Sequence, residues 1–278
     1  MNKFKIIIAD PPFSFNDDLK HSDVARGAEA NYSTMTISKI KSMPVNELAD
    51  VDGAVLALWV PSSLLQEGLD IMKAWGFNHK QTYIWVKTKI DPLKDFRDVF
   101  FDIIENNISP LNKLSKKYLK SIFKKSGKLN DLIDKSTLFI QNCLSFGMGR
   151  LFRQSHEICL IGTNNNGIYK NLVNKSQRSV CFAQNFKHSK KPECLHDSLD
   201  LMFPSATTLN KIEIFARRQR PGWLCLGNEA PMTKGEDIFD SLKKIISSSD
   251  KELDNLSNLL SSYEETNNDK LFLLWESL

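Results

Sequence analysis

Residues 5–16, KIIIADPPFSFN, hold three consecutive isoleucines and an alanine that stop at Asp10-Pro11-Pro12-Phe13. A short apolar run bounded by turn residues predicts a strand buried on both faces. The two prolines end it, because each has a fixed φ and no N–H to give to a ladder. Strands buried on both faces belong to sheets covered by helices on each side. The rest of the chain must therefore supply more strands and the helices to cover them.

It does so in alternation. GAVLALWV (53–60) reads as a second strand, and Pro61-Ser62-Ser63 opens a helix whose apolar face holds Leu64, Leu65, Leu69, Ile71, Met72 and Trp75. Gly76 ends that helix, and QTYIWVKTK (81–89) is a third strand with Tyr83 and Trp85 alternating against polar neighbours. Residues 36–48 read as a short helix and turn, 164–186 as a polar loop, and HDSLDLMF (196–203) as a helix. HEICLIGT (156–163), KIEIFAR (211–217) and GWLCLGNE (222–229) complete the strands. This alternation predicts an α/β fold with a mostly parallel sheet.

At 278 residues, 41% apolar and 25% charged, the chain matches an ordinary globular protein with room for a real core. No stretch of eighteen apolar residues is present, so no membrane span is expected. The N-terminal apolar run is too short for a signal-peptide core, which makes a cytoplasmic location the expectation. Five scattered cysteines without a C-x-x-C pair, and five histidines without ligand spacing, argue against a disulfide scaffold and a zinc centre. The net charge of +4 permits a polyanionic partner without demanding one.

Ligands of open α/β sheets bind beyond the carboxyl ends of the strands, which is where Asp10-Pro11-Pro12-Phe13 falls. A carboxylate beside a rigid carbonyl can grip both hydrogens of an –NH₂ group, and an aromatic ring offers a stacking platform for a planar heterocycle. An exocyclic amino group on a nucleobase has both features. A bare Asp-Pro-Pro after a core strand is more often a structural turn, and other segments must decide.

Those segments are ANYSTMTISKI (30–40), LALWVPSSLL (56–65), AWGFNHKQTYIWVKTK (74–89), GMGRLFRQSHEICLIGT (147–163), HSKKPECLHDSL (188–199) and KIEIFARRQRPGWLCLGNE (211–229). In this order, behind ADPPF, the set resembles the MT-A70 family of S-adenosylmethionine-dependent adenine N6-methyltransferases. The resemblance implies a Rossmann-like methyltransferase fold with a circularly permuted motif order. Its catalytic half spans 1–89, a basic helical insert for target recognition 90–146, and the cofactor-binding half 147–230. A helical C-terminal appendage follows at 231–278.

The resemblance implies catalytic roles for Asp10, Pro11, Pro12 and Phe13, the last stacking on the base. It implies that Lys191, fixed before Pro192, anchors the cofactor's carboxylate, with Lys190 as the alternative. Glu213 and Arg217 are then ribose or carboxylate contacts, and Asn228 and Glu229 hold the adenosine part of S-adenosylmethionine. Arg218, Gln219 and Arg220 read equally as contacts or as a basic surface turn. Tyr32, Trp59, Trp85, Lys87 and Glu157 map to the base pocket, although Trp59 also suits the sheet core.

Within the insert, Lys113 to Lys128 contains seven lysines and no acid. Leu111, Leu114, Tyr118, Ile122 and Phe123 recur at helical spacing and leave Lys113, Lys116, Lys117, Lys120 and Lys124 for the other faces. These lysines are either a solvated face paired with the acids at 91–105 or a surface for nucleic-acid phosphates. The expected activity is methylation of adenine N6 in DNA. An RNA adenosine methylase and a catalytically silent nucleic-acid-binding subunit are the alternatives. The helices after Pro231 either pack on the body or mediate a homodimer.

Overall fold

The computed structural model describes residues 4–14, 34–89, 143–145, 147, 151–185, 190–204, 210–261, 272–273 and 275–276. Tyr32 and the lysines at 113, 116, 117, 120 and 124 lie outside the described residues. The elements run β1 (Ile6–Ala9), α1 (Ile37–Lys41), α2 (Val45–Leu48), β2 (Val55–Val60), α3 (Leu65–Ala74) and β3 (Asn78–Thr88). They continue with β4 (His156–Thr163), β5 (Val180–Gln184), α4 (Cys194–Met202), β6 (Lys211–Ile214), β7 (Leu224–Leu226), α5 (Ile238–Ser247) and α6 (Asp250–Ser261). Together they form an α/β structure with a seven-stranded sheet in the order β5-β3-β4-β2-β1-β6-β7.

β1 pairs in parallel with β2 and β6, and β6 in parallel with β7, whereas β2 and β4 are antiparallel. Every residue of β1 and β2 is buried, which is why both read as unbroken apolar runs. Successive side chains alternate between faces. Ile7, Leu56, Leu58, Ile214 and Leu226 join one core with Ile40 of α1 and Ile71 of α3, while Ile6, Ile8, Ala57 and Trp59 are buried among the alternate positions. Leu242 and Ile245 of α5 and Leu253, Leu256 and Leu260 of α6 belong to that same core. No helix among the described residues is long and apolar enough to cross a membrane.

Two devices close α3. The Trp75 indole N–H donates to the Ile40 carbonyl at 3.0 Å, tying its end to α1. Gly76, at φ 81°, then turns the chain through a conformation that side chains resist. Residues 164–185 are more ordered than their polarity suggests. They carry a 3₁₀ turn at Asn166–Asn171, capped by the Asn165 side chain, and then β5.

The chain divides into two compact units. The first comprises Met1–Ile84, Glu157–Val180 and Glu193–Leu278, and the second Trp85–His156 and Cys181–Pro192. In the second unit the Trp85 indole N–H donates to the Ala183 carbonyl at 3.0 Å, and the Lys87 ammonium stands 5.2 Å from the Trp85 ring centroid.

Candidate functional site

From β1 the chain proceeds to β2 on one side, and from β6 on the other side it proceeds outward to β7. The strand order thus reverses between β1 and β6, the point in an open α/β sheet where a ligand crevice forms beyond the carboxyl ends. The register aligns the three strands that meet there. Ala9 is opposite Ile214, and Ile214 is opposite Leu226. The residues that follow, Asp10, Phe215 and Gly227, therefore share one edge.

Asp10 is half-buried, and its N–H reaches the Ile214 carbonyl at 3.3 Å. Beyond it the two prolines form a tight turn in which the Phe13 N–H donates to the Pro11 carbonyl at 2.9 Å. The Met35 N–H donates to the Pro12 carbonyl at 2.7 Å, and Ser14 N–H to the Met35 carbonyl at 3.1 Å. Both proline carbonyls thus already accept one backbone donor, and each keeps a second lone pair. The Phe13 ring is 4% exposed and belongs to the hydrophobic core, so in this structure it supports the turn from beneath.

β6 is shorter than the seven-residue strand its sequence suggests. Phe215 takes φ 67°, the only positive φ at a non-glycine among the described residues, and turns the chain off the strand direction. Ala216 N–H still reaches the Leu226 carbonyl at 2.8 Å. Next to it, Gly227 permits a close approach, since a Cβ there would stand 2.1 Å from the Ala216 carbonyl oxygen. Asn228 and Glu229 emerge exposed, and the Glu229 carboxylate lies 3.5 Å from the Arg217 guanidinium.

Glu213 projects to the other face of β6. Its carboxylate meets Nε2 of His196 on α4 at 2.9 Å, with the histidine 2% exposed. Its neighbours there are a charge cluster. Arg220 binds the carboxylates of Glu193, Asp197 and Asp200, Arg218 pairs with Glu193, and Lys211 donates to Asp200 at 2.9 Å. Burial pushes the Asp200 carboxyl upward, but hydrogen bonds from Lys211, Arg220 and Trp223 outweigh it and leave it below its ordinary value.

Gln219 is buried, and its side-chain amide donates to the carbonyls of Arg220 and Trp223 at 3.0 and 2.6 Å. The basic stretch RQRPGW (218–223) is thus a braced linker after Arg217. Sequence reasoning missed this, because a buried glutamine inside a basic string carries no local signal.

The remaining candidates fall in several places. Trp59 is 2% exposed and packs edge-on against Tyr83, with ring centroids 6.4 Å apart. Glu157 is half-buried near the start of β4. Lys191 and Pro192 sit in the second unit just before α4 begins in the chain, as do Trp85 and Lys87 at the end of β3.

The family profile described as MT-A70 matches residues 4–98 and 133–229, which include all three aligned strand ends. The chain is 24% identical over 231 residues to an N(6)-adenosine-methyltransferase MT-A70-like protein of Drosophila melanogaster. It is 23% identical over 233 residues to the N(6)-adenosine-methyltransferase catalytic subunit METTL3 of Homo sapiens. Each alignment covers 82% of this chain but only 27% and 28% of those relatives, so the chain spans about a quarter of their length. The type II methyltransferase M.MunI of a Mycoplasma species is 21% identical over 249 residues, covering 84% of this chain and 81% of the relative. With most of its length matched in family order, the chain belongs to the MT-A70 family.

Proposed function

We propose that this chain transfers a methyl group from S-adenosylmethionine to the N6 amino group of adenine in DNA. The observation that carries the reading is the shared edge at the switch point, where Asp10 and the Gly227-Asn228-Glu229 loop each follow a register-aligned strand end, Ala9 and Leu226. The donor set there fits the cofactor. Glu229 offers an exposed carboxylate to a ribose diol, Asn228 a donor and an acceptor to an adenine edge, and Arg217 a cation for a carboxylate. Lys191, Pro192 and Glu213 complete the assigned set, with Glu213 acting from its pair with His196.

The cofactor, when bound, supplies an electrophilic methyl group. The work of the chain is to hold the adenine nitrogen in line with it, since alignment alone removes much of such a barrier. The Asp10 carboxylate and the second lone pair of the Pro11 carbonyl accept hydrogen bonds from the two amino hydrogens; breaking the sulfur–methyl bond would leave a neutral thioether, and the methylated nitrogen sheds one of those protons to solvent. Pro12 fixes the turn, and Phe13 backs it from the core and meets the base once a face of its ring is uncovered. The family resemblance assigns Tyr32, Trp59, Trp85, Lys87 and Glu157 to base recognition, with Trp59 acting from within the core, and the target adenine leaves its stack on binding. The insert lysines at 113, 116, 117, 120 and 124 are assigned to phosphates.

DNA is the polymer assigned, on the likeness to a type II methyltransferase. The type II methyltransferase, whose name carries no ribonucleoside, and the chain cover most of each other. The test is tritiated-methyl transfer to DNA and RNA of identical sequence, with Asp10→Ala beside the unaltered chain. DNA labelling that Asp10→Ala abolishes, with calorimetric cofactor affinity kept, is the expected result. RNA labelling alone reverses the polymer assignment. Full labelling by Asp10→Ala refutes the site, and no heat with S-adenosylmethionine identifies a silent subunit.

A further inference from the structure

The Gly227-Asn228-Glu229 loop is held by residues that lie beyond the family match. β7 ends at Leu226, so Gly227 has both a backbone N–H and a carbonyl to satisfy outside the ladder. One buried hydroxyl serves both. Thr233 Oγ1 accepts from the Gly227 N–H at 2.9 Å and donates to the Gly227 carbonyl at 2.9 Å, with Thr233 1% exposed.

The turn around it repeats the arrangement. Ala230 N–H donates to the Gly227 carbonyl at 3.0 Å, Thr233 N–H to the Ala230 carbonyl at 3.1 Å, and Gly235 N–H to the Asn228 carbonyl at 3.0 Å. Gly227 and Ala230 are buried, and the two residues between them are exposed. The loop therefore presents Asn228 and Glu229 from fixed backbone anchors.

Those anchors are tied to the C-terminal helices. The Glu236 carboxylate accepts from the Ser241 hydroxyl of α5 at 2.9 Å and from the Trp275 indole N–H at 2.5 Å. Trp275 is fully buried in the core that holds α5 and α6.

We propose that Thr233 is a positioning residue for cofactor recognition, and that the segment from Pro231 to Glu236 is the backstop that fixes Asn228 and Glu229 toward S-adenosylmethionine. This rests on the reading of that loop as the holder of the cofactor's adenosine. Thr233 acts through Gly227 and touches no reacting group. Losing its hydroxyl leaves a buried N–H without an acceptor and frees the loop to sample orientations that do not bind.

The experiment uses the full chain and three variants. Thr233→Val keeps the shape and removes the hydroxyl, and Thr233→Ser keeps the hydroxyl. Gly235→Ala strains an open position at φ 82°, where an added Cβ meets nothing within 4 Å, and so shifts the Asn228 anchor without disturbing the core. Calorimetric Kd for S-adenosylmethionine, the KM for it, kcat at saturation and the melting temperature are measured together.

Thr233→Val should raise Kd and KM for the cofactor about tenfold, which is 1.4 kcal/mol, with kcat at saturation within about twofold. Thr233→Ser should restore both, and Gly235→Ala should raise them about threefold. A Thr233→Val protein that melts lower yet binds as the unaltered chain does overturns the proposal, as does a Thr233→Ser protein that binds as poorly as Thr233→Val. If Thr233→Val does not fold, an unchanged Kd in Gly235→Ala overturns it. Absence of heat with the unaltered chain removes the methyltransferase reading itself, a result distinct from equal affinities across variants.

Discussion

Arg220→Ala tests how β6 and β7 are joined. Parallel neighbours ordinarily need a crossover of a dozen or more residues, often a helix. Here residues 215–223 cross alone, and Arg220 fastens them to α4 through Glu193, Asp197 and Asp200. The Asp197 pair is worth about 0–1 kcal/mol, because that carboxylate is 58% exposed, and the Glu193 pair at 38% belongs to the same class. Asp200, 31% exposed, keeps Lys211 and the Trp223 indole after truncation but loses a charge-assisted bond worth about 1.5–3 kcal/mol. Removing the guanidinium also removes its buried Nε, which has no partner, and that offsets part of the loss. The net is about 2 kcal/mol, or roughly 4–8 °C in melting temperature for a chain near this size. Thermal unfolding followed by circular dichroism measures it, and Arg220→Lys should fall between, since an ammonium cannot fork across three carboxylates. The folded Asp200 carboxyl titrates below its ordinary value, so its contribution is complete above the unfolded range near about pH 4 and fades as pH falls through the folded value. The gap between the two proteins should therefore hold from neutral pH to about pH 5 and narrow below about pH 4. A melting temperature within about 1 °C of the unaltered chain at pH 7.5 would refute the clamp, against the several degrees expected.

Two further substitutions probe the site from other directions. Gly227→Ala would set a Cβ 2.1 Å from the Ala216 carbonyl oxygen and 2.7 Å from its nitrogen, both backbone atoms. It should cost about 3 kcal/mol or more and abolish the calorimetric signal with S-adenosylmethionine; an unchanged denaturation midpoint would show that the strand ends yield freely. Reversing two insert lysines together, Lys116→Glu with Lys120→Glu, should weaken DNA binding at 50 mM salt and flatten the salt dependence. The slope of log K against log salt should fall by about 0.9 for each phosphate no longer neutralised, and an unaltered slope assigns those lysines to a solvated face.

How far the fold could be read from the residues depended on whether burial was local or built by distant segments. β1 and β2 were legible because parallel strands covered on both faces must be apolar throughout, and IIIA and VLALWV are. Gly76 marked the end of α3 for the same local reason. β5 was not legible, since VCFAQ sits in a polar stretch and shows no period beyond what a loop can carry. Nor was the antiparallel run of β4, because strand direction is set by the path of the connections rather than by the side chains. The shortness of β6 depends on one backbone angle at Phe215, and IEIFAR reads as strand throughout.

The site shows the same division more sharply. Asp10 stood out because a carboxylate directly after a buried strand has few structural reasons to be there, and Asn228 and Glu229 stood out through the family resemblance of GNE. Thr233, Gln219 and Arg220 did not, because each lies in a polar string that suits a surface turn, and each gains its role only from what folds over it. A threonine becomes a bracket for Gly227 once Trp275 and α5 hold its turn in place, and an arginine becomes a strut once α4 presents three acids on one side. Phe13 lies between these cases. After two prolines an aromatic ring serves equally as a platform facing the ligand or as a wedge facing the core, and the burial of this ring selects the wedge. The backbone on either side holds the residue there, because the Met35 N–H donates to the Pro12 carbonyl and the Ser14 N–H to the Met35 carbonyl.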